Sequence, residues 1–388
     1  MRDCSPGPGR PALPRGGPRR ILVVSAGMGA GHDTVAGELA RRARVQGHEA
    51  RVVDVLQLLP RGLGAALRQC YQASVRHAPW AYAGLYRTFM RPGPGARPSG
   101  VPLARLAGDR LRERVDRFGA DVVVPVFHLA AQLTGHLRGR GGLDVPSAVF
   151  LLDFAVHRHW LHPGNDHYLC LTDEAAREVR RAVESRVRTT GPVVAPGFFA
   201  PPGAPSARRR EWFDRRAPGR PPVLVSAGAW GALSHAAGTA RLLASAGFLP
   251  VLLCGRNERL LGRLAGLPGA VALGWVADMP ALMGASYALV DNAAGQTAVQ
   301  ALAARLPVVG YRPLPGHGAE GVRRMAAAGL SEFAARAADL PAALDRLRPS
   351  GPERRRRTAR ARELFRADAL ACVADLAGPR VQAPPGRS

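Results

Sequence analysis

The chain repeats one sequence event, once in each half: a short, uninterrupted apolar run followed by a glycine-rich turn. Residues 21–26 read ILVVSA and lead into Gly27-Met28-Gly29-Ala30-Gly31-His32. Residues 223–227 read VLVSA and lead into Gly228-Ala229-Trp230-Gly231. Apolar runs without polar alternation belong to strands buried on both faces of a parallel sheet. After the first turn, Val35, Ala36, Leu39, Ala40 and Ala43 recur at helical spacing, and Gly47 stands where a helix ends. Residues 50–55 supply the next strand and close a βαβ unit. Further strand-like runs occupy 121–127, 147–152 and 167–171, then 249–254, 270–276, 287–292 and 307–311. This alternation predicts an α/β protein of two doubly wound, Rossmann-like domains facing each other across a cleft.

At 388 residues the chain exceeds the size at which one core keeps growing, in keeping with two domains. Residues 1–19 read as a disordered leader, 20–200 as the first domain, 201–222 as a Pro/Gly/Arg-rich linker and 223–350 as the second domain. A C-terminal helix is expected over 351–376 and a flexible tail over 377–388. The sequence holds no lysine, so all 54 basic residues are arginine, and the net charge is +25. An arginine-, alanine- and glycine-rich composition of this kind matches an actinobacterial-like, GC-rich coding bias. A surface so cationic is drawn to anionic lipid headgroups and, non-specifically, to nucleic acid. With aromatic content of 6% and no zinc spacing or RNP-like stripe, no specific nucleic-acid partner is expected. The five cysteines are scattered and never form a CxxC pair, which suits a reducing cytosol. No run approaches the length of a membrane span, and the leader lacks the apolar stretch of a signal peptide.

Three clusters carry chemistry. In the first, Gly27–His32 ends a strand and opens a helix, so the backbone can approach a ligand at a positive helix terminus. A GxGxG turn with Asp54 downstream also fits a nicotinamide or flavin fingerprint, but the Gly31-His32 pair departs from it. His32 is suited to take a proton from an attacking hydroxyl, or alternatively to cap the helix. The second cluster is Asp153-Phe154-Ala155-Val156-His157-Arg158-His159-Trp160, with His162 and Asp166 behind it, at a carboxyl strand end. Its HxHxxH spacing lacks companion ligands and no DxD pair is present, so no metal is expected. The third cluster comprises Gly274-Trp275-Val276-Ala277-Asp278-Met279, then 291–297 (DNAAGQT), then Pro315-Gly316-His317-Gly318. Its Gly295–Thr297 step opens a helix whose N–H groups can receive a diphosphate.

In this order, the clusters resemble the monogalactosyldiacylglycerol synthase-like, family 28 glycosyltransferases, relatives of the peptidoglycan lipid-intermediate N-acetylglucosaminyltransferase. The resemblance rests on the GH turn ending at His32, on Asp153, His157 and Trp160, and on Thr190-Gly191-Pro192-Val193. It continues through residues 226–231, Gly274–Met279, the helix start at Gly295 and the PGHG turn, covering about residues 20–330. It implies a GT-B architecture, a lipid acceptor on the first domain and a UDP-sugar donor held mainly by the second. Transfer of a hexose or N-acetylhexosamine to a lipid such as diacylglycerol, with inversion and without a metal cofactor, would follow. In such a scheme His32 is the base, and Asp153 and His157 orient the acceptor or the reacting sugar. Gly228, Trp230, Gly231, Trp275, Val276, Gly295, Gln296, Thr297, Gln300, Gly316, His317 and Gly318 hold the donor.

Two positions depart from the family pattern. Gln300 stands where relatives carry a Glu that binds ribose hydroxyls, so charge assistance is lost there. Gly321 stands for an Asn after the PGHG turn, with Glu320 beside it as a substitute. A nucleotide-sugar 2-epimerase and a degenerate, non-catalytic nucleotide-sugar-binding protein are the alternatives. Residues 56–90 interleave Leu67, Tyr71, Trp80, Tyr82, Leu85, Tyr86 and Phe89 with Arg61, Arg68, Arg76, Arg87 and nearby Arg91. Such a segment suits either the headgroup layer of an anionic membrane or the first domain's own core. The expected location is cytoplasmic, peripheral on the inner face of the plasma membrane.

Overall fold

The computed structural model describes residues 17–78, 80, 84, 86–90, 101–226, 228–231, 235–365 and 367–376. The tail over 377–388 and nearly all of the leader over 1–19 lie outside the described residues. So do Tyr82, Leu85 and Arg91 and the side chains of Arg76 and Phe89.

The first domain contains strands β1 (Arg20–Ser25), β2 (Glu49–Asp54), β3 (Val122–Pro125), β4 (Ala148–Leu151), β5 (His167–Cys170) and β6 (Arg186–Thr189). Parallel pairing gives the orders β2-β1-β3 and β4-β5-β6, and a bridge between Val123 and Ser147 joins the two runs. The second domain contains β7 (Pro222–Ser226), β8 (Leu249–Leu253), β9 (Val271–Leu273), β10 (Ala288–Asp291), β11 (Val308–Tyr311) and β12 (Glu332–Ala334). These form one six-stranded parallel sheet, β12-β11-β10-β7-β8-β9. Val223, Leu224, Val225, Leu289 and Val308 are completely buried, as strands covered by helices on both faces must be. In each sheet the strand order reverses beside the first strand, between β1 and β3 and between β7 and β10. Ligands of doubly wound sheets bind outside the carboxyl ends at such reversals. Both glycine-rich turns lie there.

Two expectations need correction, and one left open is partly decided. The segment expected as a linker over 201–222 is mostly the helix Ala204–Arg216, which buries Phe213 and packs on the helix Met279–Gly284. Its Pro, Gly and Arg content hides a helix whose apolar side is short. The expected C-terminal helix over 351–376 is two helices, Pro352–Leu364 and Ala369–Leu376. The second returns to the first domain and packs on the helix Ala30–Val45, where Gln46 Nε2 donates to Asp368 at 3.3 Å. Arginines of the helix Pro352–Leu364 are held by the protein itself; Arg357 pairs with Glu332 and Glu353. Within 56–90, Leu56 is buried, Leu67 packs on the core and Arg68 pairs with Asp54 at 2.8 Å, so this part belongs to the domain's interior and its edge. Trp80 is 76% exposed. Among the described residues no helix is long and apolar enough to cross a membrane.

Candidate active site

The helix Ala30–Val45 follows β1, and its N-cap, Gly29, offers no side chain to the first-turn N–H groups. His32 lies in that first turn, half-buried, with its Nδ1 2.8 Å from the carbonyl oxygen of Val126 just beyond β3. The bond spans the strand-order reversal of the first sheet. A carbonyl can only accept, so Nδ1 donates this bond, and in the neutral ring Nε2 is the nitrogen with the free lone pair. Asp33 accepts from the Ser25 hydroxyl at 2.8 Å and ties the same turn to β1. Asp54, the acid of the dinucleotide alternative, pairs with Arg68 and accepts from Leu56 N at 2.9 Å. Its carboxylate lies against the glycine turn, where a Cβ at Gly27 would be 3.0 Å from Asp54 Oδ2, and is already neutralised by Arg68.

The loop after β4 supplies the second wall. Asp153 Oδ2 accepts from the indole nitrogen of fully buried Trp160 at 2.8 Å, and His157 Nε2 lies 3.7 Å from the same oxygen. His157 is 4% exposed, and burial with several neighbouring imidazoles holds it neutral, far below the ordinary histidine range. Burial beside Asp153 likewise pushes the Tyr71 phenol up to about 12. Tyr86 packs on His157 and His317 with ring centroids 6.4 and 6.3 Å away. Two further members of the second cluster stand away from the chemistry: His162 accepts from Gly164 N, and Asp166 pairs bidentately with Arg138.

Sequence reasoning missed His128. It opens the helix His128–Arg138 directly after β3, with its ring 5.2 Å from that of His157 and 6.0 Å from that of His159. The available signal was its place, a histidine at the carboxyl end of an apolar strand. His32, His128, His157, His159 and His317 thus converge on one space. Among the described residues, none of these groupings could hold a metal ion.

The second domain contributes turns and helix starts. The Asp291 carboxylate is buried and accepts from Ala293 N and Ala294 N at 2.9 and 2.6 Å, folding the loop so that Gly295 opens the helix Gln296–Ala303. Leu314 N donates to Asn292 O at 2.7 Å and brings the PGHG turn alongside, where Gly316 opens the helix His317–Ala327. Gly318 is packed against this loop: an added Cβ would lie 3.3 Å from Asn292 O. Neither helix has a side-chain cap, whereas Thr172, Asn257 and Asp278 cap helices elsewhere. Uncapped N–H groups at converging helix starts attract an anion. Gly228 and Gly231 take φ of 65° and 66°, and an added Cβ at Gly231 would lie 2.5 Å from Asn257.

Several side chains expected to hold the donor serve other contacts. Trp230 donates its indole N–H to Met28 O at 2.9 Å, and Gln296 Nε2 donates to Val193 O at 3.0 Å. Both bonds join one domain to the other. Trp275 is 54% exposed and stacks on Arg256, while Val276 packs on the core. Thr297 and Gln300 are half-buried on the helix that Gly295 opens, and the Gln300 amide makes no hydrogen bond among the described residues. Glu320 accepts from Arg324 Nε at 3.0 Å, and Arg324 also pairs with Glu178 of the first domain. Glu320 is therefore held by an arginine of its own helix, and Arg324 is the residue that ties this helix to the first domain.

Residues 32–194 match the model of the monogalactosyldiacylglycerol (MGDG) synthase family. A processive diacylglycerol beta-glucosyltransferase of Bacillus pumilus is 24% identical over 311 residues, 77% of this chain and 78% of that one. The chain is a glycosyltransferase, and its first domain is similar to the MGDG synthase family. Against the enzyme of the same description from Bacillus subtilis, this glycosyltransferase is 26% identical over 55% of its own length and about half, 56%, of the relative's. Its fold is that of GT-B glycosyltransferases. SnogD from Streptomyces nogalater superimposes with a TM-score of 0.57 at 19% identity, covering 93% of this chain and 100% of that one. MurG from Acinetobacter baumannii gives 0.53 at 16%, covering 92% and 99%.

Proposed function

We propose that this glycosyltransferase moves a hexose or N-acetylhexosamine from a UDP-sugar to the hydroxyl of a lipid such as diacylglycerol, inverting the anomeric centre. The relatives' description as diacylglycerol glucosyltransferases supports the acceptor class. The observation that carries the mechanism is the Nδ1–Val126 bond, which leaves His32 Nε2 as a proton acceptor at the cleft. In this reading the acceptor oxygen attacks C1 of the sugar as Nε2 takes its proton, and the C1–diphosphate bond breaks. The negative charge arising on UDP meets the uncapped helix starts at Gly295 and Gly316, so the diphosphate requires no metal. Asp153 and His157 orient the acceptor. Gln300 faces the ribose, and Gly228, Gly231, Thr297, His317 and Gly318 line the donor.

The first domain, residues 20–200, takes the acceptor, and the second, 223–350, takes the donor. In this reading the enzyme works peripherally on an anionic membrane, on its inner face, and the exposed Trp80 and Leu106 with the cationic surface support it. Purified protein is incubated with UDP-glucose, UDP-galactose or UDP-N-acetylglucosamine and diacylglycerol in mixed micelles, and UDP and glycolipid are measured. Acceptor-dependent UDP release with a β-linked product supports the reading. Acceptor-independent conversion of the donor would favour the epimerase alternative, and no turnover with any donor would favour the degenerate one.

A further inference from the structure

His128 lies at the centre of the imidazole cluster, and nothing above gives it a part. It stands two residues beyond Val126, the residue that fixes His32, and Phe127 fills the step between them. The Phe127 ring lies 4.9 Å from His32 and 4.1 Å from His128. On its other side His128 meets His157 nearly edge to face, at 5.2 Å and 76°, and Trp160 at 6.3 Å and 85°. One short segment, residues 126–128, therefore touches both proton-handling walls: the His32 turn and the Asp153–Trp160 loop.

The state of His157 makes this contact matter. Its Nε2 is turned toward Asp153, and its Nδ1 is buried with no hydrogen-bond partner among the described residues. A buried nitrogen without a partner costs free energy, so packing must hold the ring where it is. His128 is the imidazole packed most closely on it.

We propose that His128 is a positioning residue for the transfer reaction, holding His157 against Asp153 and in register with His32. The inference deepens the proposed function and rests on it for its catalytic half only. Burial, together with His159, His32 and His317, keeps His128 itself uncharged. The groups facing the pair come from every surrounding element. They are His32 from the first helix, Tyr71 and Tyr86 from the segment over 63–90, Asp153 and His159 from the loop after β4, and His317 from the second domain. Asp153 favours a proton on His317, whereas desolvation opposes one on His128 and His157. Replacing His128 loosens the packing on His157 and relieves its desolvation, so His157 should protonate at a higher pH.

The test uses the full chain with 13C-labelled histidine, as wild type, His128→Gln and His128→Phe; the Phe variant keeps ring volume if Gln disturbs folding. Histidine Cε1–H signals are followed by NMR from pH 8 to 5. In the wild type the His157 signal should stay unprotonated across that range; in both variants it should titrate within the range, as ordinary histidines do. With diacylglycerol and the active UDP-sugar, kcat should fall about 10- to 100-fold while donor KM changes less than about twofold, and the acidic limb of the pH profile should move up. A residue that only fills space would lower the melting temperature and leave His157 unprotonated across the range and the acidic limb where it was, which would overturn the proposal. The NMR readout involves no sugar, so an inactive wild type would count against the proposed function while the midpoints still decide whether His128 positions His157.

Discussion

Trp230, in the glycine turn of the second domain, donates its indole N–H to the carbonyl oxygen of Met28, in the glycine turn of the first. The two turns that should enclose the donor's diphosphate are thus fastened directly to each other. A neutral hydrogen bond of this kind contributes about 0.5–1.5 kcal/mol. Trp230→Phe keeps the ring and deletes the donor, so donor KM should rise about two- to tenfold with little change in melting temperature. An unchanged KM would mean that the bond plays no part in closing the cleft.

His32→Ala should reduce turnover by about 10²–10⁴-fold, the usual contribution of general-base catalysis, with UDP binding unaltered. His32→Asn is the stricter probe, because its amide can still meet Val126 O but cannot take a proton. If either variant keeps turnover within a few-fold of wild type, His32 is only a fastening of the turn to β3.

Gln300→Glu should tighten UDP binding several-fold, since a charge-assisted hydrogen bond to a ribose hydroxyl exceeds a neutral one by about 1 kcal/mol. The opposing repulsion from the diphosphate, at roughly 7 Å, is about 0.6 kcal/mol in bulk water. Calorimetric titration of both forms with UDP decides between them. Equal or weaker binding by the Glu variant would take residue 300 away from the ribose.

Acid should weaken the fold before it protonates the carboxylates. Burial holds His157 and His128 far below the ordinary histidine value of 6.5, and His317 lies below it for the same leading reason. Below pH 6.5 the unfolded chain takes up protons that the folded chain refuses, so stability is full above that pH and declines as pH falls beneath it. Each such imidazole contributes up to about 1.4 kcal/mol per pH unit. The melting temperature should therefore drop steadily from pH 7 to pH 5. A flat profile would show that these rings accept protons in the folded state.

Gly191 carries φ of +70°, and a Cβ there would lie 1.7 Å from the carbonyl oxygen of Leu364. Gly191→Ala should cost at least about 2 kcal/mol and loosen the last two helices, because neither the backbone nor the neighbouring carbonyl can yield cheaply. Denaturant unfolding and proteolysis of the C-terminal segment measure both effects. Wild-type stability would mean that this contact relaxes without loss.

The alternation of buried strands, both glycine turns and the His32 turn were legible because each depends on a few contiguous residues with one conformational solution. β6 was not: Arg186-Val187-Arg188-Thr189 is an edge strand with exposed arginines, and its partner β5 lies outside any local window. β12 is three residues long and has no period to read. At the site, Asp153, His157 and Trp160 were found as a cluster, but their mutual geometry depends on how the loop folds over Trp160. His128 escaped because its significance comes from residues thirty positions away. Trp230 and Gln296 were recognised as cleft residues, yet their bonds to Met28 and Val193 exist only once the two domains have met.

The return of the final helix to the first domain means that the polypeptide passes between the halves twice, after Phe198 and again after Leu364. A body attached at a single point can swivel in any direction, but one attached at two points turns only about the line through them. Opening of the cleft should then follow one angular coordinate, like a door on a pair of hinges. The glycine turns would part along an arc and meet again in the same alignment each time it shuts.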